Sequence, residues 1–344
     1  MTMVSRTSEI NAAIKLIRDQ YEEDDRPWYL GFSGGKDSSA LFAAVYYAML
    51  RIPHLHKSIV LIYCDTGVEI PVIAEYVKKT LVRIKKQAKE DSIPIETKIV
   101  SPRVDDRFFV KVIGKGYPPP TNKFRWCTDR LRVGPVRREM QTASEKSSFM
   151  LLGTRWEESP ERTRTLARFK IKGRYFFKQA GNANTIIFAP LADLSTKQIW
   201  EFLHSCWIPS SLNISELVSL YRAANGDMCS GLCQDCPKCK GGRFGCWTCT
   251  VVRKDRAVMN MVNYGYPHLG PLLEFRDWLA VLRNQTHLRY KRHRNGKEGP
   301  GPFTMQTRRA ILSRLKETEE RSPWALLQPI EVQYIKKCWE SDIG

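Results

Sequence analysis

The chain has 344 residues, of which 42% are hydrophobic and 26% charged, and these values are typical of a globular protein with room for two domains. No window reaches the roughly 18 apolar residues of a membrane span and the first ten residues lack a signal-like apolar run, so we expect a cytoplasmic protein without membrane contact. The net charge of +19 favours a polyanionic partner, most commonly nucleic acid, over the alternative of a basic protein without one.

Apolar residues in the first half of the chain alternate between strand-like runs and helix-like spacings. We predict strands at 28–32, 58–63, 95–100, 149–152 and 185–188. We predict helices at 8–21, at 40–50, from Pro71 onward and at 195–203, the last with a capping box from Ser195 to Gln198. Strand, turn and helix in repetition indicate βαβ units, so the predicted fold is α/β, a Rossmann-like parallel sheet with helices on both faces.

A glycine-containing turn, Ser33-Gly34-Gly35-Lys36-Asp37-Ser38, joins the first predicted strand to its helix. Adjacent glycines let the backbone approach an anion, and the helix N-terminus offers N–H groups and a positive dipole end. A Walker A loop would place Ser or Thr after the lysine, whereas Asp37 stands there. The turn therefore predicts a phosphate site that is not of the Walker type.

Other candidate residues follow the neighbouring strands. Asp65 comes after the second strand, so parallel pairing would place it beside Gly34 and Gly35. Arg155, Arg162 and Arg164 follow Gly153 at the end of the fourth strand and could clamp phosphate oxygens, although a solvated helix face is the alternative.

Six of the ten cysteines lie between positions 229 and 249. They are Cys229, Cys233, Cys236, Cys239, Cys246 and Cys249. Thiols this dense in a reducing compartment indicate a metal site, either an iron–sulfur cluster or zinc. Cys127 lies between Arg125 and Arg130, which could lower its pKa and make it a sulfur carrier, with a structural role as the alternative.

The last third of the chain has helical spacings at 272–282 and 308–315. Between them, Arg289-Tyr290-Lys291-Arg292-His293-Arg294 forms a basic run with an aromatic residue, which predicts a contact to a DNA backbone or a solvated loop. We place a domain boundary at 208/209, so that residues 1–208 form the α/β domain and residues 209–344 a smaller, Cys-rich and mostly helical region.

The glycine turn resembles the Ser-Gly-Gly-x-Asp-Ser signature of the PP-loop ATP pyrophosphatases, which are adenine nucleotide alpha hydrolase-like proteins. The segments around Asp65-Thr66-Gly67, Arg125–Arg130 and Gly153–Ser159 are similar to the phosphoadenylylsulfate reductase branch of that superfamily. The resemblance implies that the loop holds the β,γ-phosphates of ATP while AMP and pyrophosphate form, and that Asp37 helps to bind Mg²⁺. The predicted nucleotide-binding residues are Ser33, Gly34, Gly35, Lys36, Asp37, Ser38, Arg162 and Arg164. The predicted catalytic residues are Lys36, Asp37, Asp65 and Arg155.

The segment Cys239-Gly-Gly-Arg-Phe-Gly-Cys246-Trp-Thr-Cys249 resembles the DndC/SspD-type proteins of bacterial DNA phosphorothioation, an anti-phage modification system. This resemblance implies a 4Fe–4S cluster with Cys239, Cys246 and Cys249 as ligands and with Cys236 or Cys229 as the fourth. It also implies three kinds of partner, namely DNA, a cysteine desulfurase and the other phosphorothioation subunits. Zinc stays open as the alternative metal.

Three other functions remain open at this point. A phosphoadenylylsulfate or adenylylsulfate reductase would carry a C-terminal Glu-Cys-Gly motif, whereas the last cysteine, Cys338, stands in Lys-Lys-Cys-Trp-Glu. A PP-loop tRNA thiolase would act on RNA. A nucleotide-sensing DNA-binding subunit would catalyse nothing.

Overall fold

The computed structural model describes residues 6–23, 25–143, 147–179, 182–226 and 244–343. In these residues seven strands form one sheet: β1 (Trp28–Gly31), β2 (Ile59–Cys64), β3 (Ile95–Val100), β4 (Ser148–Leu151), β5 (Lys170–Lys172), β6 (Phe176–Gln179) and β7 (Asn182–Phe188). The sheet order is β3-β2-β1-β4-β7-β6-β5. The first four strands and β7 run parallel, which confirms the predicted Rossmann-like α/β class.

The helices of the first half are α1 (Arg6–Glu23), α2 (Lys36–Met49), α3 (Pro71–Glu90), α4 (Gly134–Ala143), α5 (Pro160–Phe169) and α6 (Thr196–Leu203). Those of the second half are α7 (Ile214–Ala224), α8 (Arg256–Asn263), α9 (Gly270–Leu282), α10 (Met305–Glu320) and α11 (Pro329–Ile343). Two π-helical turns, Val110–Gly114 and Thr128–Val133, lie between β3 and α4. The predicted capping box at Ser195 and Gln198 is present at the start of α6.

Strand alternation distributes apolar side chains to both faces of the sheet. Trp28 and Leu30 of β1 belong to the main core, which also contains residues of α1, α2 and α3. Tyr29, between them, packs instead with Met150 of β4 and Met140 of α4. Because successive side chains of a strand point to opposite faces, helices cover the sheet on both sides, as predicted.

The antiparallel pair β5–β6 was not predicted. Its strands are short, and β6 pairs with β7 while β5 pairs with β6. Gly173 turns the chain between them with φ of +60°. Segments of three and four residues such as Lys-Ile-Lys and Phe-Phe-Lys-Gln are too short to show a period, and pairing with β7 decides their structure.

The second half of the chain is helical in residues 244–343, as predicted. Its buried residues, such as Phe275, Ile311 and Ile335, belong to the same core cluster as Trp28 and Leu30. The hydrophobic core is thus continuous across positions 208/209, and the division into two domains stays a prediction. No helix in the described ranges is both long and apolar enough to span a bilayer.

Candidate nucleotide and cysteine site

The glycine turn lies where the sheet order changes direction. Strand β1 has β2 on one side and β4 on the other, so the turn after β1 opens into the crevice between the strand ends. Gly34 has φ of +71°, a conformation that glycine adopts at little cost, and a Cβ there would lie 2.3 Å from Val77. Gly35 is the N-cap residue of α2 and has no side chain that could make a capping hydrogen bond. Ser38 Oγ stabilises the turn by accepting from the Ser33 amide at 3.2 Å and donating to the Gly35 carbonyl at 3.0 Å.

Asp37 is held by two cations. Its Oδ2 lies 2.8 Å from Lys36 Nζ, and its Oδ1 accepts from Arg155 Nε at 2.8 Å. Arg155 is only 2% exposed, and its other nitrogens donate to the Leu194 carbonyl at 2.9 Å and to Thr196 Oγ1 at 3.0 Å. The guanidinium therefore fixes Asp37 against α6. Its contacts are those of a positioning residue, and the predicted direct role on phosphate stays a prediction.

Gly153, directly after β4, brings the fourth strand against the turn. A Cβ at this position would lie 2.5 Å from the Asp37 carbonyl oxygen and 3.1 Å from the Ser38 amide nitrogen. Both atoms belong to backbone, so the neighbours cannot rotate away. A side chain at 153 would push the first turn of α2 out of place.

Gly153→Ala is accordingly expected to lower the free energy of unfolding by about 1–3 kcal/mol, because overpacking forces a backbone shift. The affinity for ATP should fall with it, since the displaced turn holds the anion donors. Urea unfolding and calorimetric titration with ATP measure the two effects. Gly270→Ala is the matched control and should be nearly neutral, because among the described residues no atom outside its chain neighbours and its own helix backbone lies within 4 Å of the added Cβ.

Asp65 lies at the same sheet edge, after β2. Its Oδ1 accepts from the Gly67 amide at 3.0 Å, and its Oδ2 lies 2.9 Å from Lys78 Nζ. Because β1 and β2 are parallel neighbours, the strand ends before Ser33 and Asp65 share one edge, as the sequence indicated. A second carboxylate at this edge, that of Glu69, accepts from the Thr66 amide at 2.9 Å, and burial raises its pKa.

The cysteine segment reaches this edge as well. Cys246 forms an isolated antiparallel bridge with Glu69, and the Trp247 amide donates to the Val68 carbonyl at 2.9 Å. The Cys246 thiol lies 3.6 Å from Arg132 Nη2 and 3.9 Å from Thr66 Oγ1. The pKa of this thiol is raised to about 11, mainly by burial, and the nearby Arg132 opposes part of the increase.

Two arginines hold the chain that follows Cys249. Arg276, buried on α9, donates to the Cys249 carbonyl at 2.8 Å and to the Arg253 carbonyl at 3.2 Å, and it also contacts the Val252 carbonyl. Arg283 donates to the Thr250 carbonyl at 2.6 Å. These contacts replace the hydrogen bonds that a helix or strand would supply, so the irregular segment is fixed on α9.

The other predicted site residues are placed as follows. Arg162 and Arg164 are exposed on α5, and Arg162 pairs with Glu158 at 3.1 Å. Cys229, Cys233, Cys236 and Cys239 lie outside the described residues. Within the described ranges, no group of three or more His, Cys, Asp or Glu side chains could hold a metal ion.

For Cys127, the expected lowering of the pKa is wrong. Burial raises the pKa of this thiol, and the nearby Cys249 raises it further. Arg125 and Arg130 are exposed, and Arg125 bonds to Asn122 at 3.1 Å. Desolvation of the half-buried thiol therefore outweighs the lowering of its pKa by the nearby Arg132.

Sequence reasoning missed Tyr221 of α7. Its hydroxyl accepts from the Lys36 amide at 3.1 Å, and its ring packs edge-on against Phe244 with centroids 4.6 Å apart. Aromatic residues on a helix usually indicate core packing, so no local pattern indicates a contact between Tyr221 and the glycine turn.

The basic run forms a structured projection. Its chain pairs with the segment before Phe303, through the bridges Arg289↔Phe303 and Arg292↔Glu298. Residues 290–298 are all exposed, and Tyr290 is 47% exposed. Arg289 donates to the Gly301 carbonyl and Arg294 to the Lys115 carbonyl, so both ends of the basic run are held by backbone oxygens.

A mostly parallel α/β sheet with helices on both faces places the chain among the doubly wound proteins, a class in which ligand sites lie at the carboxyl ends of the strands. Residues 27–252 match the phosphoadenosine phosphosulfate reductase domain family. The match covers more than half of the chain, and the protein belongs to this family.

An uncharacterised protein of Methanocaldococcus jannaschii is 27% identical over 272 residues, which cover 79% of this chain and 44% of that protein. The chain thus spans less than half the length of this relative.

Three solved structures are similar to this chain at low identity and low TM-score. The phosphoadenylyl-sulfate reductase of Candida auris has 11% identity and a TM-score of 0.36, covering 61% of this chain and 89% of that one. The FMN adenylyltransferase of Candida glabrata has 15% identity and a TM-score of 0.42, covering 90% and 82%. The U34-tRNA thiolase of Methanococcus maripaludis, solved with its 4Fe–4S cluster, has 12% identity and a TM-score of 0.36, covering 91% and 89%. At these identities and TM-scores, the substrates and cofactors of the three proteins are not assigned to this chain.

Proposed function

We propose that this protein is an ATP pyrophosphatase that adenylates a DNA backbone phosphate so that sulfur can be incorporated there. One observation carries the proposal: the glycine turn follows β1, and the Cys246 segment pairs with Glu69 just after β2, so both lie at one sheet edge. An ATP-splitting site and a sulfur-handling site must lie close together for an activated phosphate to be thiolated before water hydrolyses it.

The turn supplies the groups that an ATP-splitting site needs. The amides at the start of α2 and the Lys36 ammonium are donors for the β,γ-phosphates. Asp37, positioned by Arg155, and Asp65 are carboxylates of the type that holds Mg²⁺ together with phosphates. Lys36 Nζ lies 2.8 Å from Asp37 and Lys78 Nζ lies 2.9 Å from Asp65. Each lysine would exchange its carboxylate for a phosphate when the nucleotide and its metal bind.

The proposed reaction has two displacements. A phosphate oxygen of DNA attacks the α-phosphorus of ATP, the bond to the β-phosphate oxygen breaks, and pyrophosphate leaves. The terminal sulfur of a persulfide formed by a cysteine desulfurase then attacks the activated DNA phosphorus, and AMP leaves with the oxygen. A thiol reductant cleaves the remaining S–S bond by exchange, so that one sulfur stays on the phosphorus and the carrier leaves as a mixed disulfide. Adenylation is needed because an unactivated phosphate oxygen is a very poor leaving group.

The cysteines fit an iron–sulfur cluster by their chemistry. Cys246 and Cys249 provide two thiols in a Cys-x2-Cys segment fixed by Arg276, and Cys239 with Cys236 or Cys229 would complete the ligands from outside the described residues. Thiolates bind such clusters, and both thiols are partly buried, with Arg132 beside Cys246. When bound, the cluster would supply a site for sulfur or electron transfer. Zinc is the alternative.

Cys246→Ser and Cys249→Ser are each expected to remove the brown colour and the bound iron from anaerobically purified protein, because each removes one of four ligands. Visible absorbance and metal analysis measure this. Cys338→Ser is the control and should leave the colour unchanged. Cys338 lies on α11, and its sulfur is 3.5 Å from the position of a Cβ on Gly114. Colourless wild-type protein containing zinc would contradict the cluster.

We propose the location of the DNA-binding surface from the distribution of positive charge. The net charge of +19 and the exposed projection at 290–298, which contains Lys291, Arg292 and Lys297 beside Tyr290, suit a contact to a phosphate backbone. Base-specific contacts are not implied, so the other phosphorothioation subunits would select the sequence.

Mass spectrometry of nuclease-digested host DNA tests the proposed function. Phosphorothioate dinucleotides should be present in cells that carry the complete system and absent when this chain is deleted. Parallel analysis of tRNA distinguishes the alternative acceptor. Thiolated tRNA nucleosides that vanish on deletion, together with unchanged DNA, would contradict the proposal.

A further inference from the structure

The hydroxyl of Tyr221 accepts a hydrogen bond from one backbone amide of the glycine turn. It accepts from the Lys36 amide at 3.1 Å, and a Cβ on Gly35 would lie 3.3 Å from it. Lys36 is the first residue of α2, so its amide is among the N–H groups that the helix leaves unpaired and that an anion would use. The phenol oxygen thus stands where a phosphate oxygen of the nucleotide would accept the same hydrogen bond.

The phenol is held in this position by its surroundings. Tyr221 is 6% exposed and packs edge-on against Trp200 and Phe244, with ring centroids 5.1 Å and 4.6 Å away. Burial raises its pKa, so the group is uncharged at neutral pH. A neutral oxygen is a weaker acceptor than a charged phosphate oxygen, and a phosphate can therefore displace it.

We propose that Tyr221 is a specificity-determining residue of the nucleotide site, because it competes with the terminal phosphates of ATP and with pyrophosphate for the Lys36 amide. The inference rests on the proposed function, in which the turn holds the β,γ-phosphates. AMP has no phosphate that reaches the turn and does not compete. Return of the hydroxyl to the amide favours release of pyrophosphate after the first displacement.

Calorimetric titration of the full chain with magnesium pyrophosphate, the non-hydrolysable ATP analogue AMPCPP and AMP tests this. Tyr221→Phe keeps the ring and its packing but frees the amide. It should tighten binding of pyrophosphate and AMPCPP by about threefold to tenfold, the value of one neutral hydrogen bond, and leave AMP unchanged. Tyr221→Leu removes the same hydroxyl and should shift the affinities in the same direction.

Tyr76→Phe is the matched control. Its buried ring also touches the turn, with a ring carbon 3.5 Å from the position of a Cβ on Gly34, but its hydroxyl makes no hydrogen bond to the turn among the described residues. Its affinities should equal those of the wild type. Circular dichroism confirms that each variant is folded.

Unchanged or weaker binding of pyrophosphate by folded Tyr221→Phe, with normal binding by the wild type, would overturn the inference alone. A wild-type chain that binds neither pyrophosphate nor AMPCPP would overturn the proposed function as well. The two failures are therefore distinguishable.

Discussion

Replacing Lys36 with methionine is expected to reduce the rate of pyrophosphate formation about 10²–10³-fold, the usual cost of removing one charged group that stabilises a transition state. Methionine keeps the length of the side chain but removes the ammonium, which lies 2.8 Å from Asp37 and at the opening of the turn. Folding should be preserved, because Asp37 keeps its bond to Arg155. Steady-state release of pyrophosphate with DNA and the desulfurase present measures the effect.

Lys15→Met serves as the control for this substitution. Lys15 pairs with Asp19 on the exposed surface of α1, so its loss should leave the rate unchanged. A Lys36→Met protein with wild-type rate would show that the ammonium does not act on the phosphates.

Arg155→Leu is expected to lower the free energy of unfolding by about 3 kcal/mol, because it breaks a buried ion pair and leaves the Leu194 carbonyl without its donor. Denaturant unfolding measures this loss. Arg155→Lys keeps the charge, but a single ammonium cannot donate to all three acceptors that the forked guanidinium reaches. We therefore expect a partial loss of stability and a weaker affinity for ATP.

Arg174→Leu is the matched control for the second prediction. Arg174 makes a similar pair with Asp193 at 2.8 Å, but its side chain is 66% exposed, so its removal should have little effect on the free energy of unfolding. Equal losses for Arg155→Leu and Arg174→Leu would contradict the structural role given to Arg155.

The central strands were predictable because their sequence signals are local. Strand β1 ends in a glycine turn and α2 follows at once, so one short stretch contains a strand, a loop and a helix N-terminus. Strand β3 was predicted with its observed ends, since a run rich in β-branched residues lies between turn residues. In contrast, β5 and β6 have no period of their own, and their structure follows from pairing with β7.

The contacts around the site depend on residues far apart in the chain. Arg155 and Asp37 are separated by 118 positions, and Tyr221 and Lys36 by 185. The sequence indicated that Arg155 follows a strand end but not that it is buried against α6. Likewise, Arg125 and Arg130 on either side of Cys127 suggested a low pKa for its thiol, whereas burial raises that pKa. Burial is a property of the packed fold, so the residue types alone could not decide these roles.

The products of ATP cleavage test the central claim most directly. The protein is incubated with ATP labelled at both the α- and the γ-phosphate, Mg²⁺, DNA, a cysteine desulfurase and cysteine, and AMP, ADP, pyrophosphate and phosphate are separated by chromatography. We predict AMP and pyrophosphate in equal amounts, formed only when DNA is present. Formation of ADP, or no AMP with any combination of these partners, would contradict the assignment of the glycine turn as an ATP pyrophosphatase site.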